Sequence, residues 1–263
     1  MNDRPHTPLT AHQVRTLARS GDFTGPTSGH AYGLVQTNLM ILPQEAAADF
    51  RRFCELNPKP CPLIEVLPAG SVEPRCAPGA DIRTDVPGYR IYRDGKLAEE
   101  ATDICGIWRD DLVSFLLGCS FSFEEALLSA GIPLRHIELK RNVAMFRTSV
   151  QCAAAGRFHG PLVVSMRPIK KELVDKAAAI CAKFARVHGA PVHSGSPEQI
   201  GIHDLQRPDY GDAVPIQDDE VPVFWACGVT PQAAAVASGI PFCITHAPGK
   251  MFVTDLGNTD IAV

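Results

Sequence analysis

The chain has 263 residues, 45% of them hydrophobic and 21% charged, with a formal net charge of −4 and a pI near 6.1. That is enough apolar material for one large core or two smaller ones, and the length alone does not choose between them. The slight acidic excess supplies no basic field for nucleic acid or an anionic membrane surface, and no apolar run approaches the ~20 residues that span a bilayer, so the expected partner is a small molecule or a protein.

Residues 8 to 19 place Pro8, Leu9, Ala11, Val14, Leu17 and Ala18 at roughly helical spacing and predict a first helix. Gly25 to His30 is a turn-forming loop, and Gly33 to Leu42 is apolar with Asn38 in its middle, an amide that either satisfies the core or faces a ligand. Residues 44 to 55 read as a helix closed by Asn57-Pro58-Lys59-Pro60-Cys61-Pro62, whose prolines force an extended entry into the strand Leu63 to Leu67. A Pro/Gly-rich excursion follows to about Asp81, and Tyr89 to Tyr92 with the Asp94-Gly95 turn predicts a hairpin. The acidic start and apolar continuation of residues 109 to 117 predict a helix that delivers Gly118-Cys119-Ser120-Phe121-Ser122-Phe123-Glu124.

After the turn Gly131-Ile132-Pro133, residues 142–147 and 161–167 read as strands joined by the loop 152–160, and Lys170 to Val187 as an amphipathic helix. Strand and helix signals then alternate: the short apolar Ile200-Gly201-Ile202, the strand 221–227, a helix over 231–238 with Thr230 as N-cap and Pro231 first in the helix, and strands at 242–246 and 251–255. This predicts an α/β fold: a mixed, mostly parallel sheet with flanking helices in three layers, plus a smaller two-layer α+β domain. The main domain is expected over 1–132 and 201–263, with 133–200 inserted in it. Ligands of such sheets sit at the carboxyl ends of the strands, where Cys227, Thr230 and His246 are expected.

Nine cysteines at 54, 61, 76, 105, 119, 152, 181, 227 and 243 include no Cys-x-x-Cys pair, and the start Met1-Asn2-Asp3-Arg4-Pro5 lacks the apolar core of a signal peptide. The expectation is a cytoplasmic protein with reduced, mostly buried thiols. Chemistry concentrates in three places. The Cys119 segment packs a thiol, the hydroxyls of Ser120 and Ser122 and the carboxylates of Glu124 and Glu125 where an apolar run meets a helix, either as a nucleophile loop or as an ordinary helix cap. Cys227-Gly228-Val229-Thr230-Pro231 offers a carboxylate cradle at a helix start, without any Gly-x-Gly-x-x-Gly or phosphate-loop spacing; an ordinary strand-to-helix turn reads the same way. His188 and His193, followed by His203, Asp204, Asp209 and Asp212, lie among Pro and Gly with no His-Glu-x-x-His pattern, so loop residues bonding backbone or substrate are preferred to a metal site. Arg167, at a strand end, has the planar fork that fits a carboxylate.

The runs 57–63, 118–124, 164–168, 188–193, 208–212, 223–232 and 244–249, among them Val164-Ser165-Met166-Arg167-Pro168 and Phe224-Trp225-Ala226-Cys227-Gly228-Val229-Thr230-Pro231-Gln232, resemble those of the D-glutamate cyclase family, whose bacterial members are usually described as hydro-lyases. The resemblance covers nearly the whole chain. It implies a cytoplasmic α/β lyase of two interlocked domains that dehydrates D-glutamate to 5-oxo-D-proline, with no cofactor and no metal. On that reading Arg167 and the Thr230 helix start bind two carboxylates, with Asn38, Cys227, Gly228 and Asp209 also lining the substrate. His246 or His193 shuttles protons, and Cys119 either attacks to give a thioester or leaves Ser120 and Ser122 to stabilise an oxyanion directly, beside Glu124. A hydro-lyase or metal-assisted amide-forming or amide-opening enzyme acting on another carboxylic acid, and a non-catalytic carboxylate sensor, remain open alternatives. Apolar stretches beyond one core's needs point to a homo-oligomer such as a homodimer.

Overall fold

A computed structural model describes residues 8–261, so the expectation drawn from Met1 to Pro5 lies outside the described residues. The chain opens with α1 (Ala11–Arg19), begun by a reciprocal capping box between Thr10 and Gln13, and continues through β1 (Leu34–Pro43), α2 (Gln44–Leu56), β2 (Leu63–Leu67), β3 (Tyr89–Arg93) and β4 (Lys96–Ala101). It then forms β5 (Leu112–Gly118), α3 (Phe121–Ser129), α4 (Arg135–Glu138), β6 (Ala144–Gln151), β7 (Pro161–Lys170) and α5 (Val174–Ala182). The final elements are β8 (His193–Ser194), β9 (Glu220–Ala226), α6 (Thr230–Ala237), β10 (Phe242–His246) and β11 (Phe252–Gly257).

Two sheets result. The first runs β2-β5-β1-β10-β3-β4 with β11 also paired to β1, and the second runs β6-β7-β9-β8. The expected mostly parallel sheet is not found: every pairing in both sheets is antiparallel. The cause of the misreading is that the central strands are covered on both faces, so they present the continuous apolar runs usual for buried parallel strands. Residues 109–117 show the same effect. Their expected helix is instead β5, whose seven residues Leu-Val-Ser-Phe-Leu-Leu-Gly are all buried, which removes the period-2 signal of a half-exposed strand.

In the first sheet Met40, Leu42, Phe115, Leu117 and Cys243 face α2 and α6, packing on Phe50, Phe53, Ala234 and Ala235. Leu39, Ile41, Leu116 and Ile244 face the other way, under the excursion carrying Cys76, Ala77, Ala80, Ile82 and Val86. Each fully buried Leu, Ile or Phe there contributes roughly 1.5–3 kcal/mol. The predicted hairpin is present: Asp94 and Gly95 both adopt positive φ, 50° and 71°, the pair that a two-residue turn with the twist of its strands requires. In the second sheet Val164, Met166 and Phe224 lie under the 200–216 loop with Ile202 and Val214. Ile169, Val223 and Trp225 lie against α3 and α5 through Phe123, Leu127, Ala177 and Cys181. The helix expected over 170–187 is shorter, a 3₁₀ turn leading into α5 and another closing at Val187, and Ile200 ends a 3₁₀ turn rather than lying in a strand. Among the described residues no helix is long and apolar enough to cross a membrane.

Candidate active site

The segment leaving β5 is pinned first by its backbone. Cys119 N–H donates to the Gln36 carbonyl at 3.0 Å, and the Ser122 hydroxyl accepts from Gln36 N–H at 3.0 Å, so this side chain takes the place of a strand partner beside β1. Ser120 flanks the start of α3 without making a side-chain cap bond; its hydroxyl accepts instead from Arg167 Nη2 at 3.1 Å. Arg167 also donates to Glu124 Oε1 from Nε (3.2 Å) and Nη2 (2.6 Å), and to the Ser165 hydroxyl from Nη1 (3.0 Å). Four of its five N–H donors are thereby engaged, on a side chain that is 0% exposed and lies near the Phe123 and Trp225 rings, 5.6 and 5.4 Å from their centroids.

Glu124 closes this network. Its Oε2 accepts from Ser28 at 3.2 Å, and His136 Nε2 stands 3.0 Å from Oε1. Burial alone would raise the pKa of this carboxyl, but His136 and Arg167 outweigh it and hold the pKa down at about 2. At neutral pH Glu124 is therefore an anion matched to Arg167, and the Cys119 loop is braced from behind by an ion pair.

In front of that brace the two sheets meet. Asn38 Nδ2 donates to the Gly118 carbonyl at 2.9 Å and contacts Leu117 O at 3.4 Å, while the Asn38 amide is covered by the backbone of Gly228, where any Cβ would collide with it. Cys119 and Cys227 share one cluster with Met145, Val163 and Met251, and Tyr210 packs on it; Cys119 Sγ lies 3.4 Å from Met251 Sδ. Burial pushes the two thiols up to about 12 and about 11, so both are protonated at neutral pH. Thr230, buried at the start of α6, accepts from Val163 N–H (3.0 Å) and donates to Val163 O (3.2 Å). It is not the expected N-cap: Val229 takes that position with no cap bond, because the Thr230 hydroxyl is occupied by β7.

The same face of the first sheet continues from Asn38 to polar groups that the sequence reading passed over. Met40 pairs with Thr245, Thr245 with Arg90 and Cys243 with Tyr92. Arg90 Nε donates to Glu100 Oε1 at 2.7 Å, and Gln232 Nε2 donates to the Tyr92 hydroxyl, leaving the buried Gln232 Oε1 without a partner. From the second sheet, Tyr210 reaches this region as a backbone partner of Met145, through bonds of 2.9 and 3.2 Å. The alternation of Arg90 and Tyr92 at i and i+2 was the available signal for a polar face.

The remaining predicted residues lie elsewhere. His246 is buried with Nδ1 accepting from Leu39 N–H at 3.1 Å, and by strand alternation it points to the side opposite Thr245; burial lowers its pKa to about 4. His193 pairs with Phe224, on the face of the second sheet turned away from Cys227, and its Nε2 meets Ser196 O at 2.8 Å. Asp209 is exposed and accepts from Arg147 N–H at 2.8 Å. Among the described residues no group of three or more His, Cys, Asp or Glu is placed to hold a metal ion.

The molecule is thus an α/β protein of two antiparallel sheets, whose seam carries a buried ion pair, two thiols and a set of amide and phenol groups. A sequence model described as D-glutamate cyclase matches residues 113–255. A protein of Rubrobacter xylanophilus named "Putative hydro-lyase" is 58% identical over 254 residues, covering 96% of this chain and 98% of its own. A Bordetella petrii protein named "Putative hydro-lyase Bpet2233" is 57% identical over 261 residues, covering 98% of this chain and 99% of its own. The chain belongs to the D-glutamate cyclase family. Among solved structures, a nitrogen repressor-like protein of Methanococcus jannaschii overlays 89% of this chain and 90% of that one at 11% identity with a TM-score of 0.38, a likeness too slight to bear on fold or function.

Proposed function

We propose that this protein is a hydro-lyase that closes D-glutamate to 5-oxo-D-proline at the seam between the two sheets. The reading rests on the family match and the relatives' names. The observation that carries it in the structure is the set of fixed hydrogen-bonding groups converging there from both sheets: Asn38, Tyr92 with Gln232, and Tyr210, next to Cys119 and Cys227. In the reaction the substrate amine attacks the distal carboxyl carbon, the C–N bond forms, a C–OH bond breaks, and the amine's proton and the hydroxyl leave as water. This requires donors for the developing oxyanion and for the departing oxygen. The phenols of Tyr92 and Tyr210 suit that role, since burial raises both pKa values and keeps the protons on at neutral pH.

The high thiol pKa values favour direct closure over a thioester, because a protonated thiol is a poor nucleophile and an unactivated carboxylate a poor acyl donor. Arg167 and Glu124 act behind the site by fixing the Cys119 loop, and Thr230 by tying α6 to β7. The test is incubation of the purified protein with D-glutamate and with L-glutamate, followed by chiral mass-spectrometric quantification of 5-oxoproline. Enzyme-dependent 5-oxo-D-proline is the expected product. No conversion of D-glutamate, with water loss from a different carboxylic acid, would overturn the substrate assignment.

A further inference from the structure

Besides Arg167, whose donors are taken up by Glu124, Ser120 and Ser165, two further arginines border the seam, Arg90 and Arg147. Arg90 stands on the face of the first sheet that carries Tyr92 and Thr245; its side chain keeps 25% of its surface exposed, and its one ion pair is with Glu100, which is itself 57% exposed. Arg147 follows Val143 and Met145 at alternate positions of β6 and its approach, and those two residues belong to the cluster of Cys119 and Cys227. Alternation therefore turns Arg147 toward the same seam from the opposite sheet. Arg147 also lines a surface cleft of ≈ 400 Å³ with His203, Asp204 and Arg207. Asp209 fixes the Arg147 backbone through its N–H at 2.8 Å, which holds that strand end in place without using the guanidinium.

Tyr210 is bonded through its backbone to Met145, two residues before Arg147. Its hydroxyl lies within electrostatic reach of both guanidiniums and of the Cys227 thiol. The same arrangement explains an orphan: the Gln232 amide, held against Tyr92 next to Arg90, has a buried oxygen with no protein partner, an acceptor suited to a substrate N–H.

We infer that Arg90 and Arg147 form a two-point clamp from opposite sheets that selects a dicarboxylate, one guanidinium for each carboxylate, with the Gln232 amide oxygen accepting from an amine between them. This inference rests on the functional reading above and deepens it by naming what recognises the second acid group. Arginine forks match carboxylates in paired hydrogen bonds, and a charged hydrogen bond lost from such a site weakens binding roughly 10- to 100-fold.

The experiment measures binding of glutarate, which has both carboxylates and no amine, and of D-norvaline, which has one, by calorimetry, together with D-glutamate turnover, in wild type, Arg90→Gln, Arg147→Gln and the double variant. Arg90→Lys and Arg147→Lys keep the charge without the fork and guard against a folding failure, which circular dichroism and melting would reveal. The expected result is glutarate binding to wild type, weakened 10- to 100-fold in each Gln variant, with D-norvaline affinity lowered by no more than one of the two, and KM for D-glutamate rising in parallel. Unchanged glutarate affinity in both folded Gln variants overturns the clamp; if D-glutamate turnover then persists, the functional reading stands without it. Absence of any glutarate or D-glutamate binding to wild type overturns both.

Discussion

Replacing Glu124 by Gln is the sharpest test of the brace behind the site. The substitution keeps the shape and removes one charge from a pair in which Arg167 is 0% exposed and donates twice to Oε1, at 2.6 and 3.2 Å. The carboxyl sits at about 2 against an ordinary value of 4.5, so the native fold favours its ionised form by roughly 3 kcal/mol at neutral pH. Leaving the guanidinium buried and uncompensated costs on the order of 3–5 kcal/mol, and the two figures describe largely the same loss. The sign follows from a depressed acid pKa: the stabilisation is complete above pH ~4.5 and is lost as pH falls toward ~2. Urea unfolding from pH 7 to pH 3 is expected to show Glu124→Gln destabilised by about 3–5 kcal/mol at pH 7, with the gap narrowing in acid. The double variant Glu124→Gln/Arg167→Met should recover part of the deficit, since no lone charge remains. A single variant within about 1 kcal/mol of wild type at pH 7, with the same acid slope, would show that the pair is not what holds the loop.

Other outcomes follow from the same geometry. Gly228→Ala drives a Cβ into the Asn38 amide and should cost roughly 1–3 kcal/mol in urea while displacing Asn38, so D-glutamate turnover should fall much further than stability alone explains. Iodoacetamide on the folded protein should label Cys105, the one exposed cysteine among the described residues, and spare Cys119 and Cys227, as read by peptide mass spectrometry; rapid labelling of Cys119 would contradict its burial and raised pKa. Cys119→Ala should retain measurable turnover if closure is direct. His188 and His246 are both lowered by burial to about 4 from 6.5, so each contributes stability that is present above pH ~6.5 and lost as pH falls toward ~4, up to about 3 kcal/mol apiece. His246→Gln should flatten that part of the acid limb in a pH-dependent melt.

How much of this was legible depended on whether a signal was local. The Asp94-Gly95 hairpin, α2 and α6 carry their own turn and helix chemistry and were found where expected. β5 carries none: buried on both faces and preceded by Asp110 and Asp111, it imitates a helix start, and only its pairing with β1 and β2 makes it a strand. Strand direction is likewise a property of partners rather than of composition, which is why antiparallel strands covered on both sides read as parallel. At the site, Asn38, Cys119, Cys227 and Gly228 were picked out by residue type and do meet at the seam. Arg167 was picked out by the same reasoning, but its partner Glu124 lies 43 positions away in another element, and no spacing rule reveals that its donors are already taken. Arg90 and Tyr92 were read only as strand residues, because their place on the face toward the seam depends on strand pairing and on the second sheet.

The route of the chain between the sheets also bears on how the protein is born. β1 is complete by residue 43, yet its neighbours β10 and β11 begin at residues 242 and 252, after the whole second sheet has been laid down. At ribosomal rates of ~5–20 residues per second, Met40 waits roughly 10–40 s for Thr245 to be made. During that time the middle of the first sheet has an open edge beside β1, the kind of edge that nascent chains pair wrongly and that chaperones cover. The seam with Asn38, Arg90 and Gly228 is thus among the last parts of the molecule to come into being, and no nascent fragment that stops short of β10 can possess it.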